Sequence, residues 1–297
     1  MASGTLTTTT HEEFVPEIWS AQTIDAYEKN LVIAGLLENW NPLFAGGGDT
    51  ALIPVFKNLQ RTDVQDIPET KQALFDPQLT DAASVELAID RKKYASVEIS
   101  DPLLVFANQD LIGKYTAKLG YALAEYVDYD MAQIYSSSAH SAVDLTGLDA
   151  KSDADIIDAL NTAVRYFDDQ DLPQEGRAFV LNPKLYAAIR ATDQFSSADF
   201  TGSQAMTTGV LGSIFGVPVY MSTSLRTTSV SGSDVTHCLL LHREAVAWAD
   251  PQPITTKLAG SDGRFVHAQV TATIYYGWIS APHDGTNNYG VVDIQVS

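Results

Sequence analysis

The chain has 297 residues, of which 45% are hydrophobic, and this allows a substantial core or two coupled lobes. Its formal net charge is -19, so it repels nucleic acid at long range and sequence-specific DNA or RNA binding is not expected. The single Cys238 rules out an intrachain disulfide and a multi-cysteine metal cluster. No apolar run approaches the ~20 residues that a membrane helix needs.

The first forty residues predict a polar arm followed by a helix. The opening MASGTLTTTTHEEF has neither the basic nor the apolar region of a signal peptide. Pro16 suits a first helical turn. The residues that then recur at helical spacing are Ile24, Tyr27, Leu31 and Gly35. Phe14 and Trp19 lie so near the terminus that they need a packing partner, within the chain or on a neighbour.

A long two-stranded arm is predicted after the glycines 46–48. One strand covers residues 50–56, and a second alternating stretch covers residues 84–90 and 94–100. The residues between them are polar and show little periodicity, which favours a hairpin with a polar tip. Because an isolated hairpin is marginally stable in water, this arm is expected to gain order by lying on another subunit.

The only run of basic residues, Arg91-Lys92-Lys93, lies within this part of the chain. Its surroundings alternate between polar and apolar residues as a strand does. We therefore interpret the run as a solvated or partner-facing edge and not as a nucleic-acid site.

The longest helical signal follows Asp101-Pro102. Apolar and aromatic residues step by three and four from about Asn108 to Ser138, which corresponds to a rod of roughly 45 Å. Such a rod exceeds the diameter of a small domain, so an elongated molecule is expected. The residues interpreted as packing positions on this rod are Leu111, Ile112, Tyr115, Leu119, Ala122, Leu123, Tyr126, Val127, Met131 and Ile134.

Helices then alternate with short strands, which predicts an α+β or α/β lobe. Ser152 is predicted to begin a helix that buries Ile156, Leu160, Val164 and Phe167. A strand, AFVLNP, and a short helix, PKLYAAIRATDQF, follow it. The C-terminal part predicts three strands, HCLLLHREAVAWAD, FVHAQVTATIYYGWISAP and YGVVDIQVS, of which the second alternates like a half-buried strand.

The glycine-rich segment GVLGSIFGVPVYMSTSL does not fit a phosphate site. It lacks the lysine of a phosphate loop, and its glycines precede the strand instead of following one. We interpret the glycines as residues that allow turns and close approach of the backbone. Gly209 and Gly212 would permit a tight turn and a close helix approach, and Gly216 would reverse the chain into a strand with Pro218 at its start.

No catalytic, cofactor-binding or metal-binding residues are predicted. The sequence has no GxSxG nucleophile elbow and no HExxH pair. His237 and His242 lie an odd number of residues apart, on opposite faces of a regular strand, and are expected to be structural histidines. The acidic cluster Asp168, Asp169 and Asp171 lacks the calcium-loop pattern and is interpreted as a solvated helix end.

Taken in order, these elements resemble the major capsid proteins of tailed bacteriophages, which share the Hong Kong 97-type capsid fold. The segments that carry the resemblance are FVPEIW, GGGDTALIP, IDRKKYASVEI, YTAKLGYALAEYVD, FVLNPKLYAAI, the G-x-x-G-x-x-x-G-x-P-V-Y stretch and LLLHREAVAWAD. The resemblance runs from about Phe14 to the C-terminus and implies an α+β fold.

The resemblance implies four parts. They are an N-arm at 1–40, an E-loop hairpin at 46–100, a P-domain at 102–140 and 237–297 with a long spine helix, and an A-domain at 150–236. The loop SSADFTGSQAMTTG is expected at the capsomer centre. Subunit contacts are expected at Phe14, Trp19, Tyr27, Arg61, Lys71, Arg91, Lys92 and Lys93.

The implied function is that of a coat protein without enzymatic activity or cofactor. It would assemble into hexamers and pentamers of an icosahedral head that encloses double-stranded DNA, first in the host bacterial cytoplasm and then as the virion capsid. A separate scaffolding protein and a portal protein are the implied partners, with a decoration or cement protein as an optional one. Thirteen residues precede Phe14, so no N-terminal scaffolding segment is expected. No crosslinking pair is recognised among the lysines of the presumed E-loop.

Two alternatives stay open at this point. An encapsulin-type nanocompartment shell shares the fold but packages a cargo enzyme, and neighbouring genes would distinguish it from a phage protein. A soluble α/β enzyme would instead need a deep pocket with convergent polar groups and strongly shifted pKa values.

Overall fold

The fold mixes helices with strands, and the computed structural model describes it over residues 23–24, 31–55, 83–100, 111–138, 140–192, 212–230, 232–252, 254–259, 267–280 and 288–297. Within these ranges the helices are α1 (Ile33–Leu36), α2 (Leu111–Met131), α3 (Asp153–Asp169) and α4 (Pro183–Ala191). The strands are β1 (Glu38–Asn39), β2 (Thr50–Val55), β3 (Ala83–Ala88), β4 (Arg91–Ser100), β5 (Val143–Leu145), β6 (Arg177–Leu181), β7 (Ser213–Ile214), β8 (Val217–Met221), β9 (Thr227–Val230), β10 (Ser233–His242), β11 (Val246–Ala249), β12 (Thr255–Ala259), β13 (His267–Ser280) and β14 (Val291–Val296). None of the described helices is long and apolar enough to cross a bilayer.

A five-stranded sheet is built around β13, in the order β1-β11-β13-β12 with β4 also paired to β13. Val270, Ala272, Ile274 and Tyr276 alternate along β13 and are buried. Helix α2 packs against β13 and β4. The half-buried strand expected from the alternation of this segment is therefore confirmed.

A seven-stranded sheet has the order β5-β14-β10-β6-β8-β7, with β9 paired to β10. All residues of β6 are buried, and so is β10 from His237 to His242. Strands covered on both faces are apolar throughout instead of alternating, which explains the runs RAFVL and CLLL. Helix α3 packs against β5 and α4.

The segment HCLLLHREAVAWAD is two strands and not one. β10 ends at His242, the 3₁₀ turn Arg243–Ala245 follows, and β11 then pairs in the other sheet. Both halves are apolar and buried, so hydrophobicity alone did not reveal the crossing. The crossing also divides the range 237–297, because β10 and β14 belong to the seven-stranded sheet and β11–β13 to the five-stranded one. The predicted P-domain, which groups this whole range with the long helix, therefore includes strands of both sheets.

The long helix is present, and its α-helical part ends earlier than expected. α2 ends at Met131 and continues as a 3₁₀ helix, Ala132–Ser137, so its 21 residues span about 32 Å. Residues 101–110, where the prediction placed its beginning, lie outside the described residues. Leu119, Leu123 and Val127 on its inner face are buried in a core that also includes residues of both sheets.

The predicted beginning of α3 is confirmed. The Ser152 hydroxyl accepts from the Asp155 N–H, and the Asp155 carboxylate accepts from the Ser152 N–H, which forms a capping box. The four apolar residues expected on its inner face are all buried: Ile156, Leu160, Val164 and Phe167. These contacts fix α3 against the rest of the core.

Candidate functional site

The hairpin of β2 and β3 is clamped at its root onto the five-stranded sheet. Ile53 and Leu87 pack with Phe44, Ala247 and Ala249 in a small core of their own. The pairing extends from Thr50↔Ala88 to Val55↔Ala83, where the two strands reach the limit of the described residues. The hairpin is thus a separate two-stranded sheet held to the body of the protein at one end.

Gly277 of β13 lies directly beneath this root. A Cβ at this position would overlap the Ala88 carbonyl oxygen and would lie 2.8 Å from the carbonyl carbon of Ala88 and 3.1 Å from the Ile89 Cα. The chain between β3 and β4 therefore crosses β13 at a distance that only glycine allows. Nothing in the local sequence marks Gly277, because a glycine inside a strand does not reveal which backbone approaches it.

β4 belongs to the body of the protein and not to the hairpin. It pairs with β13 at ten positions, so residues 91–100 of the predicted arm are part of the five-stranded sheet. Lys92 lies 4.9 Å from the Tyr275 ring and Lys93 lies 5.0 Å from the Tyr126 ring. These cation–π contacts account for both lysines within the chain, and their contact with another subunit stays a prediction.

Asp130, at the end of α2, is the centre of a charged cluster between the helix and the sheet. Its carboxylate accepts from the Tyr276 hydroxyl at 3.0 Å and from the Trp278 indole N–H at 3.1 Å. Arg91 Nη1 lies 3.3 Å from the same oxygen, an ion pair without hydrogen-bond alignment, and the Arg91 guanidinium lies 4.4 Å from the Trp278 ring. Burial, followed by the Asp130 charge, raises the pKa of Tyr276, so the phenol stays protonated and donates.

Arg226 joins this cluster from the seven-stranded side. Its guanidinium lies 3.8 Å from Asp130 Oδ1 and 3.9 Å from the centre of the Tyr129 ring, and its Nε donates to the Tyr129 carbonyl at 2.9 Å. The segment just before β9 is thereby tied to the end of α2. One carboxylate therefore links the helix, both sheets and the strand that follows the hairpin.

Asp128 holds the chain that precedes the hairpin against α2. Its carboxylate accepts from the Val32 N–H at 2.7 Å and from the Ala34 N–H at 3.0 Å. These N–H groups belong to the start of α1, where no local side chain caps the helix. Burial raises the pKa of Asp128 above its ordinary value, and the backbone donors at Val32, Ala34 and Ile33 oppose this without reversing it.

Asp128→Asn is expected to change how stability depends on pH. Because the folded-state pKa of Asp128 is raised, the folded protein holds this proton at a pH where the unfolded chain has lost it. The contribution of Asp128 to stability is therefore fully present below the unfolded value and is lost as the pH rises through the folded value. Urea unfolding at several pH values should show the wild type gaining stability relative to the variant as the pH falls. Asp158→Asn, at an exposed position of α3, is the control, and an unchanged difference would contradict this account.

His237 is a satisfied structural histidine, as expected. Its Nδ1 lies 2.9 Å from both oxygens of Asp293, and its Nε2 lies 2.8 Å from the Thr228 hydroxyl. The Tyr135 ring stacks on the imidazole at 3.8 Å. The order Thr228, His237, Asp293 resembles a hydrolase triad, but the imidazole is buried beneath the tyrosine, so a substrate has no path to it. The cluster ties β9, β10, β14 and the 3₁₀ helix together.

Cys238, Asp168 and Asp169 are likewise inaccessible or paired. Burial raises the pKa of Cys238 to about 12, so its thiol is not ionised at neutral pH. Asp168 pairs with the buried Arg177 at 2.7 Å and Asp169 pairs with Arg165 at 3.5 Å. Within the described residues, no group of three or more His, Cys, Asp or Glu side chains is placed to hold a metal ion.

Two surface depressions of 430 and 590 Å³ are open to solvent. The larger is lined by residues that include Leu36, Leu37, Pro218, Tyr220 and Arg243. The buried groups whose pKa values are shifted do not line either depression. The deep pocket with convergent polar groups that a soluble enzyme would need is thus not among these two.

The glycine-rich segment forms a β-hairpin. Gly212 has a φ of 58° and lies just before β7, and Phe215 and Gly216 form the two-residue turn between β7 and β8. Pro218 pairs with Ser213 on the edge side of β8. No atom of the described residues would lie within 4 Å of a Cβ at Gly212, and the close helix approach expected there stays a prediction. The positive φ of Gly212 is the reason for glycine there.

Several predicted contact and turn residues lie outside the described residues. They are Phe14, Trp19, Tyr27, Arg61, Lys71 and Gly209. The structure brings Arg91 to the Asp130 cluster, and it brings Lys92 and Lys93 to tyrosines on opposite faces of the sheet. Sequence reasoning missed Asp128, Asp130 and Gly277, whose partners are distant in sequence.

The sequence matches the model of a family described as "Phage capsid protein" over residues 84–287. No curated protein matches it.

Solved structures with the same fold include the following three. A chain from Mycobacterium phage Che8 is 21% identical, with a TM-score of 0.68 over 89% of this chain and 90% of that one. The capsid structure of cyanophage P-SCSP1u is 17% identical, with a TM-score of 0.68 over 84% of both chains. A virus-like particle from Pyrococcus furiosus is 10% identical, with a TM-score of 0.55 over 95% of this chain and 98% of that one.

Proposed function

The chain belongs to the phage capsid protein family, and from this premise we propose that it is the major coat subunit that tiles an icosahedral phage head as hexamers and pentamers. The α+β capsid fold expected from the sequence is confirmed by its similarity to the phage capsid structures. That copies of this chain assemble with one another is proposed in addition, and the geometry of the hairpin supports it.

The observation that carries the proposal is the clamped two-stranded hairpin. A two-stranded sheet is marginally stable alone in water, and within the described residues this one packs on the body of its own chain through its root, at Ile53 and Leu87. Leu52, on β2, is 67% exposed. A hairpin anchored rigidly at one end, with an apolar side chain uncovered, is suited to dock on the surface of a neighbouring subunit.

The acidic composition supports the proposed contents of the shell. A wall that carries a formal net charge of -19 per subunit gains no counterion-release affinity for DNA, so packaged double-stranded DNA would not adhere to it. We further propose assembly in the host cytoplasm with a separate scaffolding protein and a portal protein. The N-arm, E-loop, P-domain and A-domain stay part of this proposal, except that residues 91–100 of the E-loop range belong to the five-stranded sheet and β10 and β14 of the P-domain range belong to the seven-stranded one.

Shortening the hairpin is expected to abolish shells while sparing the subunit. Val55 and Ala83 face each other, so deleting residues 58–82 and introducing Phe56→Asn and Lys57→Gly leaves a two-residue turn of the type that closes antiparallel strands. The shortened chain should be soluble and cooperatively folded but should sediment as subunits or small oligomers. Analytical ultracentrifugation and electron microscopy measure this directly.

The control for this experiment carries the same two substitutions without the deletion. If the control assembles and the shortened chain does not, residues 58–82 are needed for assembly. Closed shells from the shortened chain in wild-type yield would contradict the proposed role of the hairpin.

A shell around a protein cargo is the second candidate function. This candidate is retained because the chain has the same fold as a virus-like particle from Pyrococcus furiosus. Terminase and portal genes beside this one would favour the phage head, whereas a gene for a peroxidase or a ferritin-like cargo would favour the alternative.

A further inference from the structure

The outer edge of the seven-stranded sheet exposes three large apolar side chains close together in sequence. Phe215 is 50% exposed, Tyr220 is 40% exposed and Met221 is 52% exposed. We call these three residues the hairpin patch, since they lie on the turn and the second strand of the β7–β8 hairpin. Tyr220 and Met221 follow one another in β8, so the patch includes both faces of this strand. Their neighbour Val217 is buried, so the hairpin is anchored to the core while the patch faces solvent.

Phe215 occupies a backbone conformation that disfavours a bulky residue. Its φ is 51° and that of Gly216 is 79°, which places both residues of the turn in the left-handed region. Two-residue turns of this kind prefer asparagine followed by glycine. Half of the Phe215 side chain is exposed, so burial in the core does not compensate the strain. Strain that the fold does not need points to a role outside the fold.

The hairpin patch also lies in the longest uncharged stretch of the sequence. Residues 200–225 contain no Asp, Glu, Lys or Arg, in a chain with a formal net charge of -19. Copies with this charge repel one another, and the repulsion at contact is smallest where the contacting surface carries no acidic residue. The composition of the hairpin patch is therefore suited to contact with another copy of the same acidic chain.

The position in the sheet is suited to such contact as well. β7 is the outermost strand of its sheet and has only two residues, and no described strand pairs with its outer side. Beside it lies the open 590 Å³ depression, whose walls include the patch residue Tyr220, the apolar Pro218, Leu36 and Leu37, and the charged Glu175 and Arg243. An exposed aromatic side chain and an open depression with apolar and polar walls thus lie close together on this edge.

We propose that the hairpin patch is a docking surface for a second copy of this chain, with Phe215 as its aromatic anchor. The inference rests on the proposed assembly of the coat subunit and names one surface through which it occurs. Phe215 supplies a large apolar area at low conformational cost, and the uncharged edge allows two acidic copies to approach.

Phe215→Asn separates this role from a structural one. Asparagine tolerates the left-handed conformation, so the midpoint of thermal unfolding of the unassembled chain should rise by a few degrees. The same variant loses the aromatic anchor, so the fraction that assembles into large particles should fall by about tenfold. Phe215→Tyr keeps the ring and should assemble as the wild type does. Sedimentation velocity at matched concentrations measures assembly, and calorimetry measures the midpoint.

Asp171→Asn is the matched control. Asp171, with a φ of 54°, is the other non-glycine residue with positive φ within the described ranges, so the same replacement places asparagine in a left-handed position without removing an apolar side chain. Because aspartate tolerates this conformation much as asparagine does, the midpoint should change little and assembly should stay intact. Normal assembly of Phe215→Asn would overturn the proposal, and so would loss of assembly accompanied by a lower midpoint. A wild-type chain that fails to assemble would instead refute the proposed function itself.

Discussion

Gly277→Ala is expected to displace the hairpin and prevent shell formation. The added methyl group would overlap the Ala88 carbonyl group, and backbone at this crossing cannot move aside as a flexible side chain can. Either the root of the hairpin lifts from β11 or β13 is pushed into α2. Overpacking against backbone costs about 3 kcal/mol, which is a large share of the stability of a domain. Denaturant unfolding of the unassembled chain and the yield of closed shells measure the two consequences.

Gly46→Ala is the control for this substitution. Gly46 precedes the same hairpin, and a Cβ there would meet no atom of the described residues within 4 Å. Its unfolding free energy and shell yield should stay close to those of the wild type. A Gly277→Ala protein with wild-type stability and normal shells would show that the crossing is not a tight constraint.

Asp130→Ala is expected to be strongly destabilising. The substitution leaves the Arg91 guanidinium, the Tyr276 hydroxyl and the Trp278 indole N–H without the carboxylate that they share. Removing one partner of a largely buried charge cluster costs ~3–5 kcal/mol, because the desolvated cation stays behind. Urea unfolding should show a lower midpoint with an unchanged slope.

A second variant at this position distinguishes the effect of the lost charge from the effect of the lost side-chain volume. Asp130→Asn keeps the shape and one acceptor, so it should recover part of the stability but not all of it. Asp169→Asn, which removes an exposed carboxylate paired with Arg165, should change the unfolding free energy little. Equal, small effects of Asp130→Ala and Asp169→Asn would contradict a central role for the cluster.

Local sequence signals predicted local structure well. The Ser152 capping box, the apolar face of α3 and the alternation along β13 each depend on residues only a few positions apart, so a single sequence reveals them. The extent of β10 was harder to predict, since its apolar run continues through the 3₁₀ turn into a strand of a different sheet. A continuous hydrophobic run indicates burial but not the layer in which it is buried.

The candidate site depended on partners far apart in sequence. Asp128 binds backbone N–H groups nearly a hundred residues earlier, and Gly277 lies beneath the carbonyl group of Ala88. Neither residue stands out in its own neighbourhood, because an acid in a helix and a glycine in a strand are ordinary there. The strain at Phe215 was hidden for the same reason, since it is a property of backbone angles and not of residue type.

Cryo-electron microscopy of the purified protein, alone and with the scaffolding protein from the same genome, would show whether this chain assembles with itself into a closed shell. We expect closed particles with icosahedral symmetry in which the β2–β3 hairpin of each subunit lies on a neighbour. A chain that stays monomeric at high concentration in both preparations would contradict this assembly.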